Sequence, residues 1–140
     1  GAVAPRRHPP SQQPPLEKLS GLRILVADDE PTVRATVARM LERRAAVAVL
    51  AADGEEAERL LRVEKFDVVL LDVMMPRRTG YQLVPVVRET QLDVPVILMS
   101  GYTDQAHGVE PPDSFLEKPF NASMLEAAIQ CALRNGNGNG

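Results

Sequence analysis

The chain has 140 residues, 44% of them hydrophobic, which suits one domain with one sizeable core. Its formal net charge is −3 and its pI about 5.4, which argues against a basic nucleic-acid module. No apolar run approaches the roughly 20 residues of a membrane span, no basic-then-apolar leader opens the chain, and the single Cys131 cannot form an internal disulfide, so a cytoplasmic setting is expected.

In chain order, residues 1–20 read as a linker. Pro5, Pro9, Pro10, Pro14 and Pro15 stiffen it, and its few apolar residues keep no period with which to pack. The chain begins Gly-Ala-Val, which reads as a piece processed or excised from something longer. The folded unit is expected over 21–134, with a low-complexity, disordered tail over 135–140. Leu22 to Ala27, Phe66 to Leu71 and Val94 to Met99 are short apolar runs bounded by turn signals, as in a parallel sheet covered on both faces. Ala46 to Ala51 and Asp113 to Glu117 are weaker strands. Between the first two strands, Val33, Val37, Met40 and Leu41 share one helical face, and Pro31 suits that helix's first turn. Asp53 and Glu56 form a capping pattern ahead of Ala57, Leu60 and Leu61. Gly80 to Glu89 is a third helix with Pro85 as a kink inside it, and Asn121 caps a last helix carrying Leu125, Ala128, Ile129 and Ala132. Strand–helix alternation of this kind predicts an α/β doubly wound parallel sheet.

Ligands in such sheets bind beyond the carboxyl ends of the strands, where the strand order reverses. The polar residues fall there: Asp28, Asp29 and Glu30 after the first strand, Asp72 after the third, Ser100 and Gly101 after the fourth, Lys118 and Pro119 after the fifth. Crowded carboxylates repel, and a hard divalent cation resolves the conflict; Mg²⁺ takes carboxylates, a carbonyl, waters and phosphate oxygens. Each feature alone has a plain structural explanation, since acidic residues after strands often form turns and caps, and a lone lysine is usually a solvated cation. The joint pattern from four strand ends favours chemistry.

These residues resemble the response-regulator receiver family, similar to the chemotaxis regulator and to the receivers of hybrid sensor histidine kinases. The resemblance spans about 21–134. It rests on Ile24-Leu25-Val26-Ala27-Asp28-Asp29-Glu30, Asp53-Gly54, Val69-Leu70-Leu71-Asp72-Val73-Met74-Met75-Pro76 with Gly80, Met99-Ser100-Gly101, and Leu116-Glu117-Lys118-Pro119-Phe120. It implies a flavodoxin-like sheet in the order 2-1-3-4-5 with five helices. It implies a phosphoryl group accepted on Asp72 from a histidine kinase or a histidine phosphotransfer domain. Mg²⁺ would be held by Asp29, Asp72 and the Met74 carbonyl, with Asp28 acting through water. Lys118 would pair with the phosphoryl group, Ser100 would bond it after switching, and Phe115 would be the switch aromatic. A cis Lys118-Pro119 peptide is also implied. The domain would assist its own phosphorylation, as the C-terminal receiver of a hybrid kinase, with no nucleic acid and no direct membrane contact. The segment from Ser100 to Lys118 is shorter than the family's usual length and carries Gly108, Pro111 and Pro112, so the helix between the fourth and fifth strands is expected to be short or irregular. Met74 and Tyr102, two residues beyond Asp72 and Ser100, are the expected tuners of phosphoryl lifetime.

Three other readings compete. A phosphorylation-independent binding scaffold would lack part of the site, and nothing is missing. A metal-dependent phosphatase would carry a second aspartate two residues after its nucleophile, where this chain has Met74. A flavodoxin-like cofactor binder needs phosphate donors after the first strand, where Asp28, Asp29 and Glu30 would repel. His8 and His107 are isolated and make no metal site.

Overall fold

The computed structural model describes residues 19–101 and 111–138. Among them, strands and helices alternate: β1 (Arg23–Ala27), α1 (Pro31–Glu42), β2 (Val47–Ala51), α2 (Gly54–Val63), β3 (Val68–Asp72), α3 (Gly80–Thr90), β4 (Val96–Ser100), β5 (Ser114–Glu117) and α4 (Ala122–Gly138). The strands form one parallel sheet in the order β2-β1-β3-β4-β5, as expected.

Side chains alternate across the strands, and helices cover both faces. Leu25, Ala27, Val69, Leu71 and Leu98 point to the α2 and α3 side, where Ala57, Leu61, Leu83 and Val87 meet them. Ile24, Val26, Leu70, Ile97 and Met99 point to the other side, against Val37 and Leu41 of α1 and Leu125 and Ile129 of α4. Double coverage explains why the inner strands read as continuous apolar runs. The weaker second strand is an edge strand, with Val47 and Leu50 exposed.

Helix ends follow local chemistry. The Asp53 carboxylate accepts from Glu56 N at 2.8 Å, and the Glu56 carboxylate accepts from Ala52 N at 2.8 Å. Asn121 Oδ1 accepts from Met124 N at 2.9 Å. Pro31 occupies the first turn of α1. Thr79 and Gln82 form a reciprocal capping box on α3, a Thr-x-x-Gln signature present in the sequence but passed over in favour of Gly80. α3 continues through Pro85 to Thr90.

Two boundaries differ from expectation. Leu19 is wholly buried with Ile24, Leu41 and Ala46, so the packed unit starts before residue 21. One leucine among prolines has no period, and only its tertiary partners show its role. At the other end α4 runs through Gly138, inside the stretch assigned to a disordered tail; an existing helix gains one backbone bond per added residue even where composition is poor. The expected short helix between β4 and β5, Gly108 and His107 included, falls on residues 102–110, outside the described residues, as does His8. The Lys118–Pro119 peptide is cis.

Candidate functional site

The sheet register builds the site. β1 and β3 are neighbours with Ala27 opposite Leu71, so Asp28 and Asp72 stand side by side one residue further on. β4 and β5 pair Ser100 with Glu117, and Lys118 follows; its backbone N donates to the Ser100 carbonyl at 2.8 Å. Four strand ends thus meet on one rim, at the reversal in strand order.

Lys118 bridges the two aspartates. Its Nζ lies 3.0 Å from Asp28 Oδ2 and 3.2 Å from Asp72 Oδ1. Asp28 is completely buried and Asp72 only 5% exposed, while Asp29 is open to solvent. Carboxylate oxygens of Asp28, Asp29 and Asp72 can all lie within 4.8 Å of one another. One lysine cannot neutralise three carboxylates. Burial pushes the Asp72 carboxyl up from 3.8 to about 6, the Asp28 and Asp29 charges push the same way, and Lys118 only partly offsets them. For Lys118, burial lowers the ammonium pKa, but the bond to Asp28 and the charges of both aspartates win, and it ends raised. A hard, all-oxygen donor set with excess negative charge fits Mg²⁺ or a similar cation.

Close packing holds this geometry. A Cβ on Gly80 would sit 2.6 Å from the Asp72 carbonyl oxygen and 3.1 Å from Val73 Cα, so only glycine lets α3 start against the acidic strand end. A Cβ on Gly54 would run into the Arg78 carbonyl, so α2 starts against the loop after β3. Asp28 Oδ1 accepts from Glu30 N at 2.9 Å, and the Asp28 carbonyl accepts from Arg34 at 2.6 Å. Arg34 was missed in the sequence, where an arginine on a helix flank looks like any solvated cation.

The remaining expected residues are spread around this centre. Ser100 is half-buried at the end of β4 beside Lys118. Met74 follows Asp72 by two residues and its side chain is 60% exposed. Phe115 is 48% exposed on β5, its ring 6.3 Å from that of Tyr81. Tyr102 lies outside the described residues. The loop from Val73 to Thr79 also carries two arginines that the sequence reading passed over. Arg78 Nε is 2.8 Å from Glu58 Oε1, while Arg77 pairs with Asp53 at 3.5 Å and Glu55 at 3.8 Å. Arg78, then Arg62, holds the Glu58 carboxyl below its ordinary range.

A doubly wound sheet with a lysine-bridged carboxylate cluster at its switch point defines a class of protein that handles a phosphoryl group beside a cation. Residues 24–130 match the family model of the response regulator receiver domain, and the chain belongs to that family. A probable transcriptional regulator, ycf27 of Guillardia theta, is 38% identical over 119 residues, covering 82% of this chain and 46% of its own length. The chain thus spans about half the length of the curated relatives it matches. A response regulator receiver domain protein from Clostridium thermocellum superposes with a TM-score of 0.74 at 27% identity, covering 85% of this chain and 99% of its own. The receiver domain of a Pseudomonas aeruginosa PAO1 sensor histidine kinase superposes with a TM-score of 0.70 at 26% identity, covering 81% and 98%; it has a magnesium ion coordinated in its active site cleft. The chain is a phosphoacceptor receiver domain of two-component signal transduction. Among the described residues no helix is long and apolar enough to cross a membrane.

Proposed function

We propose that Asp72 is the phosphoacceptor, that Asp28, Asp29, Asp72 and the Met74 carbonyl hold Mg²⁺, and that Lys118 and Ser100 receive the transferred group. The observation that carries this is the lysine bridge between two buried carboxylates whose charge it cannot balance. An Asp72 carboxylate oxygen attacks phosphorus in line, the bond from phosphorus to the donor's imidazole nitrogen breaks, and the imidazole keeps that electron pair. Lys118 stands within reach of the Asp72 carboxylate, so its ammonium can pair with an oxygen of the arriving phosphoryl group. When bound, Mg²⁺ supplies positive charge to the phosphoryl oxygens. Ser100 can donate its hydroxyl to the modified aspartate, which couples phosphorylation to the position of the segment after β4, with Phe115 on the neighbouring strand as the responding aromatic.

The donor is a histidine kinase or a histidine phosphotransfer domain. An apolar groove lined by Val33, Thr36, Met40 and Phe120 opens next to Lys118 and offers such a donor a seat beside the acceptor. One parent protein for this receiver is a hybrid sensor kinase. The motifs Met99-Ser100-Gly101-Tyr102 and Phe115 to Phe120 support that parent protein, whereas the names of the curated relatives support a transcriptional regulator. The full gene sequence separates the two.

A small phosphodonor such as acetyl phosphate tests the site. Labelling should require Mg²⁺ and should fall to background in Asp72→Asn. Full labelling of that variant at another residue would overturn the assignment.

A further inference from the structure

The loop that leaves Asp72 is fastened to a helix outside the phosphoryl site. Arg78 and Glu58 meet at 2.8 Å, Arg77 reaches Asp53 and Glu55, and Gly54 N lies 3.3 Å from the Pro76 carbonyl oxygen. The missing Cβ of Gly54 allows the Arg78 backbone to lie directly on the first turn of α2. Arg77 adopts a positive φ of 74°, a conformation that an L-residue keeps only where its surroundings enforce it. None of these groups touches the carboxylate cluster in the structure. Yet they fasten the far end of the five residues, Val73 to Arg77, that join the acceptor to Arg78.

We propose that Arg78 and Glu58, assisted by Arg77 with Asp53 and Glu55, form a positioning clamp that holds the loop after Asp72 against α2 and so fixes the Met74 carbonyl for the cation. The inference rests on the metal site proposed above and adds to it the device that sets its loop. These pairs are only partly covered, with Arg78 at 50%, Arg77 at 61% and Glu58 at 20% side-chain exposure. Exposed pairs contribute little to global stability. The clamp therefore acts on which loop conformation is populated, and a cation that needs one conformation binds more weakly in proportion to its loss.

Charge and clamping make opposite demands, which gives the test. Arg78→Gln removes a positive charge near the acidic site, so a purely electrostatic role would tighten Mg²⁺ binding. Glu58→Gln removes a negative charge, so the same role would weaken it. The clamp requires both variants to weaken it, by about threefold to fivefold, and requires the double variant Glu58→Gln with Arg78→Gln to weaken it no further than the weaker-binding single variant, since either change alone already opens the pair. Mg²⁺ affinity is read by isothermal titration calorimetry on the full chain. Amide hydrogen exchange in EDTA is read in parallel, because Arg78 N donates to the Pro76 carbonyl at 2.8 Å and Gly80 N to the Val73 carbonyl at 2.9 Å. Both amides should exchange faster in both single variants, with the melting temperature unmoved. Affinity changes of opposite sign, or unchanged affinity and exchange in either variant, overturn the clamp while leaving the metal site standing. A wild-type chain that binds no Mg²⁺ overturns the metal site and the clamp with it.

Discussion

The two ends of the sheet treat polar groups in opposite ways. At the amino end, buried Gln91 and the more exposed Asp67 and Asp113 all join neighbouring elements. Gln91, almost wholly buried, accepts from Phe66 N at 3.0 Å and donates to the carbonyls of Leu61 and Glu64 at 2.8 and 2.7 Å, tying the end of α2 to the approach to β3. Asp67 accepts from Arg23 N at 2.8 Å, and Asp113 accepts from Val96 N at 2.7 Å and from Arg88. At the carboxyl end Asp28, Asp29 and Asp72 oppose one another, and Lys118 bridges only two of them. A satisfied network is what stability favours. A cluster left short of positive charge is a place where a cation and a phosphoryl group can contribute what the chain withholds.

The comparison can be broken most forcefully at the amino end. Gln91→Leu keeps the volume but strips partners from one buried amide and two carbonyls, and should cost about 2–4 kcal/mol of unfolding free energy. Urea denaturation measures it, and the extent of phosphorylation by acetyl phosphate should be unchanged at temperatures where the variant stays folded. A loss under about 0.5 kcal/mol would mean that water replaces the glutamine and that the amino end is less constrained than it looks.

At the carboxyl end the same kind of change should stabilise. The folded-state pKa of Asp72 is raised from 3.8 to about 6, so between those values the native protein holds a proton that the unfolded chain has released. Stability attributable to this group is therefore full below about pH 4, falls as the pH rises, and carries its whole penalty above about pH 6. Asp72→Asn should thus be more stable than wild type in EDTA at pH 7.5, by on the order of 1–2 kcal/mol once solvent screening is allowed for. The two should converge near pH 4, and excess Mg²⁺ should narrow the gap at pH 7.5 by binding the wild type more tightly. Thermal melts across pH 4–8 check the sign. A variant less stable than wild type at pH 7.5 would show that Lys118 outweighs the repulsion.

This contrast also marks what could be read from the residues alone. Strand order and both layers follow from apolar runs too short for helices, separated by helical faces with Asp53 and Asn121 at their starts. The acidic rim was legible because a parallel sheet sends every strand's last residue to one edge, so Asp28, Asp72 and Lys118 had to meet. Gln91 was not legible, since its three partners lie 25 to 30 residues away and a glutamine closing a helix carries no periodic signal. Arg78 and Glu58, 20 residues apart, meet only because Gly54 lets two backbones touch. Leu19 was lost among prolines. Helix and strand periods report which face is buried; they are silent about which polar side chain reaches across to another element.

The smallest effect concerns how long the carboxyl end keeps its modification. Hydrolysis of an acyl phosphate needs a water in line behind phosphorus, and a side chain beside the acceptor can hold or exclude that water. Met74 follows Asp72 by two residues, and its thioether offers only a weak acceptor, so it is the residue with which to test such an effect. Its side chain is 60% exposed, so it is free to meet solvent near the modified strand end, while Asp72 itself is nearly buried. Met74→Asn replaces the thioether with an amide that can orient water, and should speed dephosphorylation by about threefold to tenfold. Leu92→Asn is the matched control: Leu92 is also an exposed apolar residue, but it precedes β4 at the amino end, and its substitution should leave the decay unchanged. The decay of isolated phosphoprotein in Mg²⁺ gives both rates. Equal rates in wild type and Met74→Asn would remove Met74 from the set of residues that hold the signal. A similar acceleration in Leu92→Asn would show that the effect comes from general loosening and not from a water placed at the acceptor.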